Sequence, residues 1–298
     1  MATIIAAIDG SATSSAVLQA ARTMAASRHA NVEALNVLGG DAEGAAVAAS
    51  GLGVQLRIAE GDPTKAIVDA VDRDEVVMAV LGGGARRGGR PLAGHVTQGV
   101  IQKVTKPVVV VPPELALPGT GAPLKVLVSL DGTDATSRAV DDAIRFVGDA
   151  EFVGLHVFPR GASPPYWDHY YYDYPLWCRE FLDCFCNGAA VRVEARQGDA
   201  VAQILDVAIA EEAGLIALAW CRDLSPGRAA VVTGVLSLTR IPVLVFPAAD
   251  GVVAQRRRVV GVPHRQRVLA TTRHFRGRSH RVAHRQHTRD LPHTSRRG

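Results

Sequence analysis

A chain of 298 residues with 48% hydrophobic and 21% charged residues can bury two cores, and no apolar run in it is long enough to span a bilayer. Its formal charge of +4 is unevenly spread: thirteen arginines and two aspartates give residues 250–298 a charge of +11, leaving the first 249 residues at −7. Cys178, Cys184, Cys186 and Cys221 form neither a disulfide framework nor a zinc-ligand spacing. They read as small buried hydrophobes of a cytoplasmic protein, with no metal site expected.

The opening MATIIAAIDG lacks a basic leader and a long apolar stretch, so TIIAAI reads as a first strand and not as a signal peptide. Ser14 to Arg28 follows with helical periodicity, Val17, Ala20, Ala21 and Met24 sharing one face. VEALNVL and VQLRIA are the next strands. Asp62-Pro63 then supplies an N-cap and a proline at the first helical position. VVMAVL is a fourth strand, LGGGARRGGRPLAG a glycine- and arginine-rich loop, His95 to Val104 a helix, and PVVVV the last strand. Continuous apolar strands alternating with helices predict a parallel sheet covered on both faces.

The unit then repeats. AAIDGSATSS is answered by VSLDGTDATS, EGDPTKAIVDAV by QGDAVAQILDVA, and KPVVVVPP by IPVLVFP. Asp9 therefore corresponds to Asp131, Asp62 to Asp199 and Pro107 to Pro242, at offsets of 122, 137 and 135. The second copy gains length in its first half and loses two residues in the counterpart of the glycine loop. The expected organisation is residues 1–113, a linker over 114–123, residues 124–248 and a tail over 249–298. Two tandem, doubly wound, five-stranded parallel sheets of Rossmann-like type follow.

Ligands of open parallel sheets bind beyond the carboxyl ends of the strands, where strand order reverses. With the order 3-2-1-4-5, Asp9, Gly10 and Ser11 after the first strand lie beside the glycine loop after the fourth. A carboxylate there can accept from ribose hydroxyls. Glycines let backbone N–H groups approach phosphates at the positive end of the next helix. No lysine follows the glycines, which excludes a P-loop, and Arg87 stands where a dinucleotide fingerprint needs its third glycine. The competing reading is a turn made permissive by glycine.

Over residues 1 to 248 each copy resembles a universal stress protein domain. The resemblance rests on the strand ending in Asp-Gly-Ser or Asp-Gly-Thr, the second strand ending in Asn36-Val37 or His156-Val157, the glycine loop and the terminal Pro-Val-hydrophobic strand. It implies an adenine nucleotide alpha hydrolase-like fold that binds ATP, with Mg as its companion ion. By resemblance Asp9 faces the ribose, Val37 the adenine, and Gly82, Gly94, His95 and Val96 the phosphates; Gly10, Ser11, Gly83, Gly84 and Thr97 complete the candidate nucleotide-binding set. The family pattern of Gly, two residues, Gly, nine residues, then Gly with Ser or Thr is met here by Gly82, Ala85 and Gly94-His95, one residue short and with two substitutions. Such domains pair through their last strands, which implies a pseudo-dimer within the chain, with homo-oligomers an open question.

In the second copy the loop reads LAWCRDLSPGRAAVV. Ala229-Ala230 stand in place of Gly94-His95, and Trp220 stands in place of an early glycine, so the phosphate-facing elements are missing. All five tyrosines lie in PPYWDHYYYDYPLWC, a lid or partner patch on one reading, a cover for a sheet edge or the padding between the halves on another. Asp168-His169 lacks a third partner for acid–base chemistry. The tail, with six histidines and no hydrophobic period, reads as disordered. Its arginines allow a grip on nucleic acid, and its histidine spacing fits no metal. The expected function is a nucleotide-binding stress-response or signalling module without turnover. The alternatives are an ATP-dependent enzyme of a related fold, or an interaction module that has lost the nucleotide.

Overall fold

The computed structural model describes residues 1–83, 94–114, 124–132, 134–162, 174–185, 191–220 and 229–247. The linker from residue 115 onward, the tyrosine-rich stretch 163–173 with Asp168 and His169, and the arginine-rich tail lie outside them. In the first half, strands β1 (Thr3–Ala7), β2 (Asn31–Val37), β3 (Gln55–Ala59), β4 (Val76–Gly82) and β5 (Val108–Val111) alternate with helices α1 (Ser14–Arg28), α2 (Ala42–Gly51), α3 (Pro63–Val71) and α4 (His95–Lys103). In the second half, β6 (Leu124–Leu130), β7 (Ala150–Phe158), β8 (Val191–Gln197), β9 (Leu215–Trp220) and β10 (Val243–Pro247) alternate with α5 (Asp134–Val147), α6 (Tyr174–Phe185), α7 (Ala200–Ala210) and α8 (Ala230–Leu238).

The strand order is β3-β2-β1-β4-β5-β10-β9-β6-β7-β8. Each half has the expected 3-2-1-4-5 order, with every pairing inside a half parallel. The expectation of parallel sheets holds only within each half: β5 and β10 pair antiparallel, Val243 opposite Val110 and Val245 opposite Val108, and fuse the two into one mixed sheet of ten strands. The physical reason is edge protection. β5 is VVVV and β10 is VLVFP, and either one left open would present unpaired backbone on an apolar strand. The edges that remain are β3 and β8. These carry charge, Arg57 bonded to Glu33 at 2.7 Å and Arg192 to Glu211 at 2.6 Å.

Side-chain alternation along the buried strands feeds two apolar layers. One holds Val17 and Leu18 of α1, Ala45 of α2, Val140 of α5 and Trp177 of α6; the other holds Ile67 of α3, Val100 of α4, Ile204 of α7 and Val232 of α8. Both layers run across the seam between the halves. Burying each valine there stabilises the fold by about 1.5 kcal/mol or more. Across the seam, Arg28 of α1 lies 4.2 Å over the Phe146 ring and donates to the Arg145 carbonyl at 3.0 Å; within the second half Phe146 meets Phe246 edge-on at 5.8 Å.

Local chemistry sets the helix starts. Asp62 and Asp199 each accept a backbone N–H three residues on, at 2.8 and 2.9 Å, the cap the sequence predicts. The buried face of α1 is wider than its expected stripe, because Leu18 and Ala25 join Val17, Ala21 and Met24 while Ala20 sits at the margin. α2 is so rich in alanine and glycine that it carries no clear hydrophobic period. Its start is fixed by Asp41, whose carboxylate accepts from the Gly44 N–H at 2.9 Å. Its counterpart α6 buries Trp177 and Phe181, each 2% exposed, where α2 buries Ala45 and Ala49 with the same four-residue spacing. These aromatics cover β7 and β8 at the far end of the sheet from the seam. So this part of the aromatic-rich region is core, and it does not pad the junction between the halves.

Candidate functional site

The switch point of the first half lies between β1 and β4, whose last paired residues are Ala7 and Leu81. Beyond β1 the chain turns through Asp9, Gly10 and Ser11. Asp9 Oδ1 accepts from the Ser11 N–H at 3.0 Å and from the Ser14 hydroxyl at 3.4 Å, and Ser14 Oγ accepts from the Gly10 N–H at 3.0 Å. Partial burial pushes the Asp9 carboxyl upward, but hydrogen bonds from Ser11, from its own backbone and from Ser14 outweigh it, so the pKa sits below its ordinary 3.8. A carboxylate has about four acceptor sites, so Asp9 keeps capacity for a ligand's hydroxyls.

Gly10 holds this turn against a neighbouring one. Its φ is +81°, and a Cβ built on it would fall 2.1 Å from the Asp41 carbonyl oxygen, while the Asp41 N–H donates to the Asp9 carbonyl at 3.0 Å. The β1–α1 and β2–α2 turns are therefore in backbone contact. Asn36, fully buried near the end of β2, donates from Nδ2 to the Ile8 carbonyl at 2.9 Å and so ties β2 to the exit of β1. Its Oδ1 is buried without a partner among the described residues. Val37 closes β2 in the apolar layer under α3 and α4, at 9% exposure.

On the other side of the switch point, Gly82 ends β4 opposite Val111, and a Cβ built on it would lie 3.7 Å from the methyl groups of both Thr13 and Val17. The exit of β4 is thus packed against the start of α1. The Gly83 N–H donates to the Val111 carbonyl at 2.7 Å. Gly84 lies outside the described residues. α4 begins at Gly94, which supplies no side-chain cap, so the first-turn N–H groups of His95, Val96 and Thr97 have no intrahelical partner. α1 likewise lacks a side-chain cap, whereas α2 and α3, away from the switch point, are capped by aspartates. His95 is exposed and Val96 half-buried. Thr97 is buried and donates its hydroxyl to the Gly82 carbonyl at 2.7 Å, which fixes the start of α4 over the end of β4.

The structure thus brings Asp9, Gly10, Ser11, Gly82, Gly83, Gly94, His95, Val96 and Thr97 to the carboxyl ends of adjacent strands, with Val37 one strand further out. It also commits the N–H groups of Gly10, Ser11 and Gly83 and the hydroxyl proton of Thr97 to the protein itself. Among the described residues, what remains on offer is the Asp9 carboxylate and the start of α4, which has no side-chain cap. The sequence hid Thr13 and the Asp41 carbonyl as parts of this corner, since each acts through a contact between distant turns. Asn36 alone carried a signal, as a polar residue inside an apolar strand.

The second half rebuilds the corner with different chemistry. Asp131 and Gly132 follow β6, Gly132 having a φ of +79°, and His156 Nδ1 donates to the Leu130 carbonyl at 2.8 Å, as Asn36 does to Ile8. Thr133 lies outside the described residues. The His156 ring is enclosed by Phe158, Phe181 and Trp177 at 4.6, 5.0 and 5.7 Å. β9 ends in Ala219 and Trp220, paired with Phe246 and Pro247 of β10. Trp220 is 3% exposed, and its Nε1 is buried without a partner among the described residues.

Among the described residues no group of three or more His, Cys, Asp or Glu is placed to hold a metal ion, and no helix is long and apolar enough to cross a membrane. Residues 40–112 match the universal stress protein family, a segment that contains Gly82 to Thr97 and leaves out Asp9 and Val37. Comparison with the curated proteins finds no match. The fold is similar to that of a universal stress protein from Archaeoglobus fulgidus DSM 4304, with a TM-score of 0.58 at 18% identity over 83% of this chain and 97% of that one. A putative universal stress protein from Pseudomonas aeruginosa UCBPP-PA14 gives a TM-score of 0.61 at 16% identity, covering 83% and 93%. A shorter universal stress protein, solved in complex with cAMP, covers 43% of this chain and all of its own at 22% identity and a TM-score of 0.33. The chain has the universal stress protein fold.

Proposed function

On a chain with the universal stress protein fold, we propose that the first half is an adenine-nucleotide-binding module of stress response or signalling. The observation that supports this reading most is the uncapped start of α4, fixed over β4 by the Thr97–Gly82 hydrogen bond, on the strand next to Asp9. A phosphate group suits the first-turn N–H groups of a helix, and a ribose diol suits a charged carboxylate. ATP fits this donor set: His95, Val96 and Thr97 would hold its phosphates by backbone N–H groups, Asp9 its ribose, and Val37 would lie beside the base. The two halves act in this reading as a built-in pair, since both apolar layers cross the seam.

A second reading has its own support. The Gly83 N–H and the Thr97 hydroxyl, both expected at phosphates, are bonded within the protein, as suits an interaction module that has given up the nucleotide. Titration calorimetry of the full chain with ATP separates the two. Wild type is expected to take up one equivalent, and Asp9→Ala to bind about tenfold or more weakly, as for a lost charged hydrogen bond. Equal, negligible heat from both proteins overturns the nucleotide reading in favour of the second.

A further inference from the structure

Register puts Gly83 and Trp220 at the same place in the two halves. Gly82 pairs with Val111 at the end of β4, and Ala219 pairs with Phe246 at the end of β9; one residue on, these become Gly83 and Trp220. The sequence repeat agrees, since the Asp62–Asp199 offset of 137 also carries position 83 to 220. A Cβ built on Gly83 would stand 3.2 Å from the Val111 oxygen and 3.6 Å from a Val110 methyl group, so it leans toward the α3–α4 side of the sheet. Trp220 shares one apolar cluster with Val232 and Val235 of α8, the second half's equivalent of α4.

The surroundings changed with it. Where Thr97 donates to Gly82 under the start of α4, the corresponding positions are Val232 and Ala219, which can form no such bond. Among the described residues no hydrogen bond holds the indole, whose Nε1 is buried without a partner there. Packing in this apolar cluster holds it, as for a side chain retained for its volume. α8 nonetheless begins, like α4, without a side-chain cap, and Asp131 and Gly132 keep the positions of Asp9 and Gly10.

We propose that Trp220 closes the second nucleotide cleft, its indole filling the space under the start of α8 that Gly83 leaves free under α4. This rests on the nucleotide reading of the first half. Residue 83/220 then sets how many nucleotides one chain carries: glycine opens a cleft and tryptophan shuts it.

Reciprocal exchange in the full chain tests this, with ATP uptake measured by equilibrium dialysis and folding checked by circular dichroism. Gly83→Trp is expected to weaken ATP binding by about 100-fold or more, the loss of roughly two charge-assisted hydrogen bonds. Trp220→Gly is expected to raise uptake from one ATP per chain to two, and Trp220→Gly with Asp9→Ala to retain the second-half event. If Gly83→Trp folds and binds as wild type does, or if wild type already takes two, the proposal is overturned. If wild type takes none but Trp220→Gly takes one, the nucleotide reading of the first half fails and the role of Trp220 stands. No uptake by either overturns both. Should Trp220→Gly fail to fold, Gly83→Trp still decides, because β9 shows that this fold accepts tryptophan at that position.

Discussion

The carboxyl end of β4 and that of β9 are built on the same strand order, yet one is polar and the other apolar. In the first half a threonine hydroxyl and a glycine carbonyl meet at the corner; in the second, valine, alanine and a buried indole do. The difference teaches which residues the fold needs. The Asp-Gly turn after the first strand, the aspartate caps of α3 and α7, and the side-chain bond to the first strand's exit recur in both halves, so they belong to the fold. Gly82, Gly83 and Thr97 occur in one half only, so the fold stands without them.

The contrast is largest in the helices that cover the outer strands, and there the biggest loss is expected. Phe181→Ala empties a buried aromatic site on α6 and is expected to cost about 4 kcal/mol in chemical denaturation, whereas Ala49→Gly on α2 costs about 1 kcal/mol. Equal small losses would mean that the aromatics of α6 are not core. Next comes the turn beyond β1. Gly10→Ala combines a positive φ with the approach to Asp41 and is expected to cost about 3 kcal/mol. Gly132→Ala carries the same backbone strain, with a φ of +79°, so the excess of the first loss over the second measures the turn-to-turn contact. Identical losses would remove that contact from the account.

The smallest effect is electrostatic. Because the folded state holds the Asp9 pKa below 3.8, the charged carboxylate adds stability that is complete above that value and is lost as pH falls through the folded pKa. Asp9 is exposed, so the term is modest. Urea midpoints of wild type and Asp9→Asn should differ more at about pH 6 than at about pH 3. A gap that does not narrow on acidification would show that the hydrogen bonds around Asp9 carry no charge-dependent stability.

Much of this was legible in the chain. The parallel sheets covered by helices followed from alternating apolar runs and helical periods, and Asp62-Pro63 and its counterpart Asp199 marked helix starts through purely local chemistry. α2 was not legible, since AEGAAVAASG has no hydrophobic stripe and is held by two buried alanines and the Asp41 cap. The single ten-stranded sheet was legible only by family resemblance, because pairing of β5 with β10 joins segments far apart in sequence. At the site, position could be read and occupancy of donors could not. Nothing in the run of letters tells that the Thr97 hydroxyl and the Gly83 N–H are already bonded within the protein.

The β5–β10 seam carries one more consequence, and it is evolutionary. A homodimer joined by such a seam is encoded once, so every change at a strand end appears at both of its sites. Here the seam joins two separately encoded copies. Tryptophan can therefore stand at one corner and glycine at the other, which gives a single molecule two unlike ends.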